Sequence, residues 1–141
     1  MIALAASLDI NGDIVELGAG WGTLAFPLAK GFPHIRVTAV EISPVPFLFL
    51  QLRALVQKRA NLEIVRRDIL SVSLARAGLV TCYLYPDAMK KLKPKFENEL
   101  QPGTVVVSNT FAVPGWEPSR VGELEDLYRT RIYEYRFSPP S

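Results

Sequence analysis

The sequence predicts an α/β fold in which β-strands alternate with helices to build a mainly parallel sheet. Short runs rich in β-branched residues are separated by longer helical stretches, which is the pattern of β-α-β units. Glycines join the first strand to the first helix, and an acidic residue stands at the end of each of the first three strands. Hydrophobic residues make up 49% and charged residues 21% of the 141, which excludes extended disorder and favours one domain over residues 1–141.

Each element follows from its local sequence. Strands are predicted over residues 13–17, 35–41, 62–66, 78–84, 104–108 and 129–137. The first helix ends at Lys30, and Pro27 should kink or shorten it. Ser43 and Pro44 fit the N-cap and first residue of a second helix, which runs to about residue 59.

The second half of the chain is more interrupted. Pro86 and Pro94 predict two short helical pieces, whose expected buried face is Met89, Leu92, Phe96 and Leu100. Residues 101–103 predict a turn, and residues 112–118 contain two prolines and a glycine that oppose regular structure. The last four residues, SPPS, are expected to be a frayed end.

The glycine-rich stretch over residues 16–22, ELGAGWG, is the most informative motif. Glycines at a strand-to-helix junction let the backbone turn sharply and let a ligand approach closely. The helix that follows presents N–H groups and a positive partial charge. The stretch therefore predicts a loop that binds a nucleotide or an anion.

The composition of this loop narrows the ligand. A dinucleotide fingerprint needs its third glycine where Thr23 stands, and the lysine of a P-loop is absent. Glu16 would repel a pyrophosphate and attract an ammonium group. These features disfavour a nicotinamide-dependent reductase and indicate a ligand with a positive group near the loop.

Two further acidic residues end the next two predicted strands. A carboxylate at Glu41 can accept both ribose hydroxyls of a nucleoside, as in other nucleotide-binding α/β folds. Asp68 can accept an adenine amino hydrogen, and Ile42 and Ile69 can enclose the ring. Open α/β sheets bind ligands at the carboxyl ends of their strands, where these residues should meet.

These motifs resemble those of class I S-adenosylmethionine-dependent methyltransferases, over residues 10–137. The resemblance implies a three-layer Rossmann-like fold with strand order 3-2-1-4-5-7-6, strand 7 antiparallel. It also implies S-adenosyl-L-methionine as cofactor, which carries an ammonium, a sulfonium and no phosphate. The cofactor-binding residues that it implies are Glu16, Leu17, Gly18, Ala19, Gly20, Gly22, Glu41, Ile42, Asp68 and Ile69.

The acceptor side should lie beyond the fourth and fifth strands. The Asn/Asp-Pro-Pro-Tyr motif of DNA and glutamine methyltransferases is absent, which disfavours those substrates. Residues 84–116 are similar to small lysine methyltransferases that act on the c-subunit of mitochondrial ATP synthase and on adenine-nucleotide carriers. Those methyltransferases in turn resemble the Dot1 histone-lysine family. The resemblance implies methyl transfer to an amine, with protein lysine as the expected acceptor. Tyr83, Tyr85 and Pro86 are the expected lining of the acceptor site, with Asn109 and Phe111 on the substrate side.

Methyl transfer to lysine requires a neutral amine, whose ordinary pKa is about 10.4. A dry aromatic channel disfavours the ammonium form, and Tyr83, Tyr85, Phe111 and Trp116 are candidates to form one. We expect Asp87 to be a helix first-turn charge rather than a base. Two alternatives stay open, a cofactor-binding interaction module without catalysis and a small-molecule methyltransferase.

Charge and composition bound the partners. A net charge of +2 gives no strong nucleic-acid signal, and one cysteine and one histidine exclude a disulfide and a multi-histidine metal site, so no metal is expected. No apolar run approaches the ~20 residues of a membrane-spanning helix, and a cytoplasmic location is expected.

The helix around residues 45–56 is apolar nearly all round. Such a helix is usually buried, or is covered by a second subunit, another partner or a membrane. Fewer than thirteen residues precede the first strand, so we expect a minimal catalytic core whose cover comes from an upstream segment or a partner.

Overall fold

Seven strands form one sheet in the computed structural model, which describes residues 9–124 and 129–139. They are β1 (Asp13–Leu17), β2 (Val37–Val40), β3 (Leu62–Val65), β4 (Ala77–Cys82), β5 (Val105–Asn109), β6 (Arg120–Glu123) and β7 (Arg131–Arg136). Their order is β3-β2-β1-β4-β5-β7-β6. The first five strands are parallel, and β7 is antiparallel to both β5 and β6. This topology confirms the predicted fold class.

Helices cover both faces of the sheet. On one face, Phe26 of α1 (Ala25–Gly31) and Leu50 of α2 (Pro44–Gln57) pack together against β2. On the other, α3 (Pro86–Glu99) buries Met89, Leu92 and Phe96 against β1, β4 and β5. The result is the expected three-layer arrangement.

Two helices differ from their predicted form because of prolines. Helix α1 begins only at Ala25, so that Pro27 lies in its first turn, where its missing N–H needs no partner. The prediction of two pieces around Pro94 is wrong, since α3 is continuous through it. The predicted buried face extends along the whole helix to Leu100, whereas Pro94 lies on the exposed side, so continued packing outweighs one missing hydrogen bond.

The edge strand β6 was not predicted from the residues, although the resemblance implied a seventh strand. All four of its residues are exposed, so it has no apolar alternation to detect. Backbone pairing with β7 holds it, together with an ion pair of 3.0 Å between Arg120 and the buried Glu134.

Of the alternatives expected for α2, burial within the described residues is wrong, and cover by a partner or a membrane stays a prediction. Only Leu50 of this helix is buried, because one side of α2 faces the sheet and no described residue covers the other. The expected frayed end begins at residue 138, and its last two residues, like residues 1–8, lie outside the described ranges.

Candidate active site

The carboxyl ends of β1, β2 and β3 lie along one edge of the sheet, and the three predicted acidic residues meet there. Glu16 is the fourth residue of β1, and Glu41 directly follows β2. Asp68 follows β3 and caps a short 3₁₀ turn, Ile69–Ser71. Because the strands are parallel, this is the edge at which open α/β sheets hold their ligands.

The glycine loop has a left-handed backbone at all three glycines. The φ angles of Gly18, Gly20 and Gly22 are 76°, 57° and 79°, in the region that disfavours side chains. A Cβ on Gly22 would lie 2.7 Å from Leu50 and 2.8 Å from Phe26, whereas a Cβ on Gly20 would meet nothing within 4 Å. The early third glycine is therefore a packing requirement, and Gly20 leaves space above the loop.

Glu41 ties this loop to the end of β2. The backbone N–H of Gly20 donates to its Oε1 at 2.7 Å, and that of Ser43 donates to its Oε2 at 3.0 Å. A carboxylate has about four lone-pair sites, so each oxygen can still accept a second hydrogen bond. Glu41 is thus oriented by the protein and keeps the capacity to bind two hydroxyl groups.

Glu16 is buried at the centre of the edge. Its Oε2 has no hydrogen-bond partner, and neither has Oγ1 of the buried Thr81, the residue opposite it in the β1–β4 pairing. Burial, with a smaller contribution from the negative charge of Glu41, raises the pKa of Glu16 from 4.5 to about 8. Buried polar atoms without partners are uncommon, and these two form a polar pair suited to an ammonium group. Thr81 belongs to no sequence motif, and only the strand register identifies it.

A cavity of about 280 Å³ connects Glu16 with the acceptor side. Glu16 and Thr23 line it from β1 and the following loop, and Tyr83 and Asn109 line it from the ends of β4 and β5. Glu16, expected to bind the cofactor, and Tyr83 and Asn109, expected on the acceptor side, therefore line the same cavity. Cys82, Leu24 and Leu124 complete its wall.

The expected adenine side lies at the ends of β2 and β3. Oδ1 of Asp68 accepts a hydrogen bond of 2.9 Å from the N–H of Leu70, which fixes the carboxylate. Arg66 Nε donates to the Ile42 carbonyl at 3.1 Å and so joins the two strand ends. The Ile42 side chain is exposed and Ile69 is half-buried. Apolar surface thus remains available on both.

Three aromatic side chains form a cluster beyond β4 and β5. The ring centroid of Phe111 lies 6.4 Å from that of Tyr83 and 5.7 Å from that of Tyr85. Both tyrosines are exposed, so they do not belong to the core. Pro86 begins α3 directly behind Tyr85, and Asp87 lies in the first turn of α3, as expected.

Trp116 does not join this cluster, so the expectation that it lines the same channel is wrong. Its ring packs against Phe96, Tyr135 and Phe137 at centroid distances of 5.6–5.8 Å. Its Nε1 donates to Glu97 at 3.3 Å. Trp116 is therefore part of the packing between α3 and β7.

A strained turn aims Phe111 at the tyrosines. Thr110 has a φ of 72°, unusual for a β-branched residue, and its Oγ1 donates to Oδ1 of Asn109 at 2.8 Å. The Ser108 hydroxyl donates to the Phe111 carbonyl and closes the turn. Thr110 carried no sequence motif, and only its backbone geometry reveals its part.

Arg53 of α2 supports the glycine loop from outside. Its NH1 donates to the carbonyls of Trp21 at 3.2 Å and Gly22 at 3.0 Å, and its guanidinium lies 4.4 Å from the Phe26 ring centroid. Nothing in the local sequence links Arg53 to residues about 30 positions earlier. The side chain of Trp21 is exposed and packs edge-on against Phe49 at 5.2 Å.

The remaining reactive side chains lie apart from this chemistry or are inert. Cys82 is buried, as expected, and burial raises the pKa of its thiol to about 12. His34 precedes β2, at the opposite edge of the sheet. Within residues 9–124 and 129–139 no group of His, Cys, Asp and Glu is arranged to hold a metal ion. None of the helices in these ranges has the length and apolarity that crossing a membrane requires.

Comparisons with known proteins agree with this geometry. The family model of the ANTKMT methyltransferase domain matches residues 16–120. A protein-lysine N-methyltransferase of Saccharolobus islandicus is 36% identical over 124 residues, which cover 81% of this chain and 72% of that protein. A Rattus norvegicus lysine N-methyltransferase, named for the c-type subunit of ATP synthase, is 28% identical over 110 residues, which cover 77% of this chain and 50% of that protein.

A solved structure extends the comparison to the whole fold. The RNA methyltransferase of Salinibacter ruber, solved in complex with S-adenosyl-L-homocysteine, superposes with a TM-score of 0.81 and 26% identity. The superposition covers 99% of this chain and 89% of that one. The seven-stranded fold thus has a counterpart in a solved methyltransferase structure.

Proposed function

Because the chain belongs to the ANTKMT methyltransferase domain family, we propose that it methylates the side-chain amine of a protein lysine. S-adenosyl-L-methionine is its cofactor, as in the methyltransferases to which it is similar. The observation that carries the lysine acceptor is the 36% identity to an archaeal protein-lysine N-methyltransferase over most of both chains.

The residues at the carboxyl edge fit this cofactor. Glu16 and Thr81 offer two unpartnered buried oxygens to the ammonium group of the cofactor. The open space over Gly20 allows the cofactor to come close to the backbone of the loop. Glu41, oriented by two backbone N–H groups, is suited to the ribose hydroxyls. Asp68 is suited to the adenine amino group, between the exposed Ile42 and the half-buried Ile69.

The fit implies a role for the charge of Glu16. An ammonium group beside it favours the carboxylate form, which lowers the raised pKa of Glu16 and releases a proton on binding. The protein thus supplies a buried negative charge only when its positive partner is present.

The remaining chemistry is largely positioning. When bound, the cofactor supplies an activated methyl group on a sulfonium. Tyr83, Tyr85 and Phe111 present aromatic faces to the approaching lysine, and the cavity beyond Tyr83 leads towards Glu16. Aromatic side chains that exclude water from the lysine would lower the pKa of its ammonium group, so that its proton would leave to solvent at the exposed Tyr83 and Tyr85. Asn109 lines the same cavity, and Pro86 begins α3 directly after Tyr85.

The cellular location is also part of the proposal. Cys82 is the single cysteine and is buried as a free thiol, which fits a reducing cytoplasm. Association with a membrane or a second subunit would use the exposed apolar side of α2.

The acceptor class can be tested directly. A cell lysate is separated into protein, RNA and small-molecule fractions, and each is incubated with the purified enzyme and methyl-labelled S-adenosyl-L-methionine. Labelled protein is then hydrolysed to amino acids. We expect the label in protein, as Nε-methylated lysine. Label in RNA or small molecules, or cofactor binding without transfer, would overturn the lysine proposal in favour of another acceptor or a non-catalytic module.

A further inference from the structure

Helix α2 carries an apolar face that no described residue covers. Its members are spaced at i, i+3, i+4, i+7, i+10 and i+11, and so share one side of the helix. They are Val45, Leu48, Phe49, Leu52, Leu55 and Val56, and each is between 43% and 84% exposed. Single exposed apolar residues are normal on a protein surface, whereas a contiguous stripe of this size marks an interaction site.

The stripe continues into the glycine loop. Trp21 lies edge-on to Phe49, with ring centroids 5.2 Å apart, and its own side chain is half exposed. Tryptophan at the end of an apolar surface is characteristic of groups that sit at a membrane–water boundary.

The charged residues next to the stripe in sequence are mainly positive. Residues 42–62 contain Arg53, Lys58 and Arg59 and no acidic residue. Glu41, before them, is turned onto the N–H groups of Gly20 and Ser43, and Glu63, after them, lies 3.9 Å from Arg36. Arg53, the one charged residue of α2, is directed at the loop carbonyls and leaves the stripe itself uncharged. Lys58 is exposed at the carboxyl end of α2, and Arg66 lies against Ile42 at the other end.

We propose that this stripe is a peripheral docking surface for a bilayer that contains anionic phospholipid. The apolar side chains enter the boundary between headgroups and acyl chains, and the surrounding cations meet the anionic headgroups. A second copy of the chain fits less well, because a two-fold interface brings identical cationic rims together. Docking would bring Trp21, and with it the cofactor loop, to the membrane boundary.

Vesicle binding tests the proposal without measuring methyl transfer, so its failure leaves the proposed activity untouched. The chain is co-sedimented with neutral phosphatidylcholine vesicles and with vesicles that also contain phosphatidylglycerol. We expect binding to the anionic vesicles, weaker in high salt, because the Debye length falls from ~10 Å at 0.1 M to ~3 Å at 1 M. The double variant L52Q/V56Q should bind at least about tenfold less, since two apolar side chains no longer enter the bilayer.

A matched control and a second signal keep the test specific. Val121→Gln removes an equally exposed apolar side chain from β6, away from α2, and should leave vesicle binding unchanged. Acyl-brominated lipids should quench the fluorescence of Trp21. Its contribution is obtained as the difference in tryptophan emission between wild type and Trp21→Phe. Circular dichroism confirms that each variant is folded. The proposal would be overturned if the chain did not bind anionic vesicles, or if Val121→Gln lost as much vesicle binding as L52Q/V56Q. It would also be overturned if sedimentation velocity showed a dimer that L52Q/V56Q dissociates.

Discussion

Replacing Glu16 by glutamine should remove a specific pH dependence from the stability of the ligand-free protein. Burial raises the pKa of Glu16 from 4.5 to about 8, so the folded protein keeps this proton over a range in which the unfolded chain has released it. Unfolding then releases a proton, and the free energy of unfolding falls as the pH rises between these two values. A neutral glutamine has no such dependence.

The magnitude follows from the linkage relation. One proton released on unfolding changes the free energy of unfolding by about 1.4 kcal/mol per pH unit. Between pH 5 and pH 7, inside the window that the two pKa values define, the free energy of unfolding of Glu16→Gln should therefore rise by roughly 2–3 kcal/mol relative to that of wild type. Other titrating groups contribute equally to both proteins and cancel in the difference.

Urea denaturation of both proteins at pH 5, 6 and 7, without ligand, measures this difference. Glu63→Gln, which removes an exposed carboxylate from β3, controls for the loss of a negative charge as such. A difference between Glu16→Gln and wild type that does not change with pH would mean that Glu16 is ionised in the folded protein, and would refute the reasoning. The proton should also leave on binding S-adenosyl-L-homocysteine, so that wild-type affinity rises up to about tenfold from pH 6 to pH 7 while that of Glu16→Gln stays level.

Four further substitutions probe the loop and the acceptor side. Glu41→Gln weakens a charge-assisted hydrogen bond to the Gly20 N–H and the proposed ribose contact, so titration calorimetry should show about a 10- to 100-fold loss of cofactor affinity, and unchanged affinity would exclude the site. Gly22→Ala places a Cβ 2.7 Å from a side chain of α2 and should cost about 1–3 kcal/mol in urea denaturation. Gly20→Ala has open space and should cost less, so equal losses would contradict the packing argument. Tyr85→Ala removes an aromatic face beside Phe111 and should lower kcat/KM for the protein acceptor while cofactor affinity is kept, and a parallel loss of cofactor affinity would reject this separation.

The sheet and the cofactor edge were accessible from sequence because their causes are local. Strands buried on both faces appear as short β-branched runs, and the glycines and strand-end acids stand at fixed positions relative to them. Glu16 was recognised by its place before the glycines. Thr81 was not, because the register of two strands that are 65 residues apart in sequence brings them together.

The wrong predictions also have physical causes. Proline removes a hydrogen bond inside a helix, and this local cost predicted a break at Pro94. Burial along the whole length of α3 keeps the helix continuous. Strand β6 is exposed and depends on its pairing with β7. The apolar composition of α2 was clear in the sequence, but its exposure was not, because burial depends on what else packs against the helix. Trp116 was assigned to the channel from its residue type alone.

Peptide mapping of a methylated protein acceptor tests the central claim most directly. A lysine-containing acceptor from the lysate experiment is incubated with S-adenosyl-L-methionine that carries a deuterated methyl group, using wild type and Glu41→Gln at equal concentration. We expect a deuterated methyl group on the side-chain nitrogen of a lysine. The rate of methyl transfer should be lower for Glu41→Gln and should recover at high cofactor concentration. A methyl group on any other atom, or equal rates for both proteins at low cofactor concentration, would contradict this expectation.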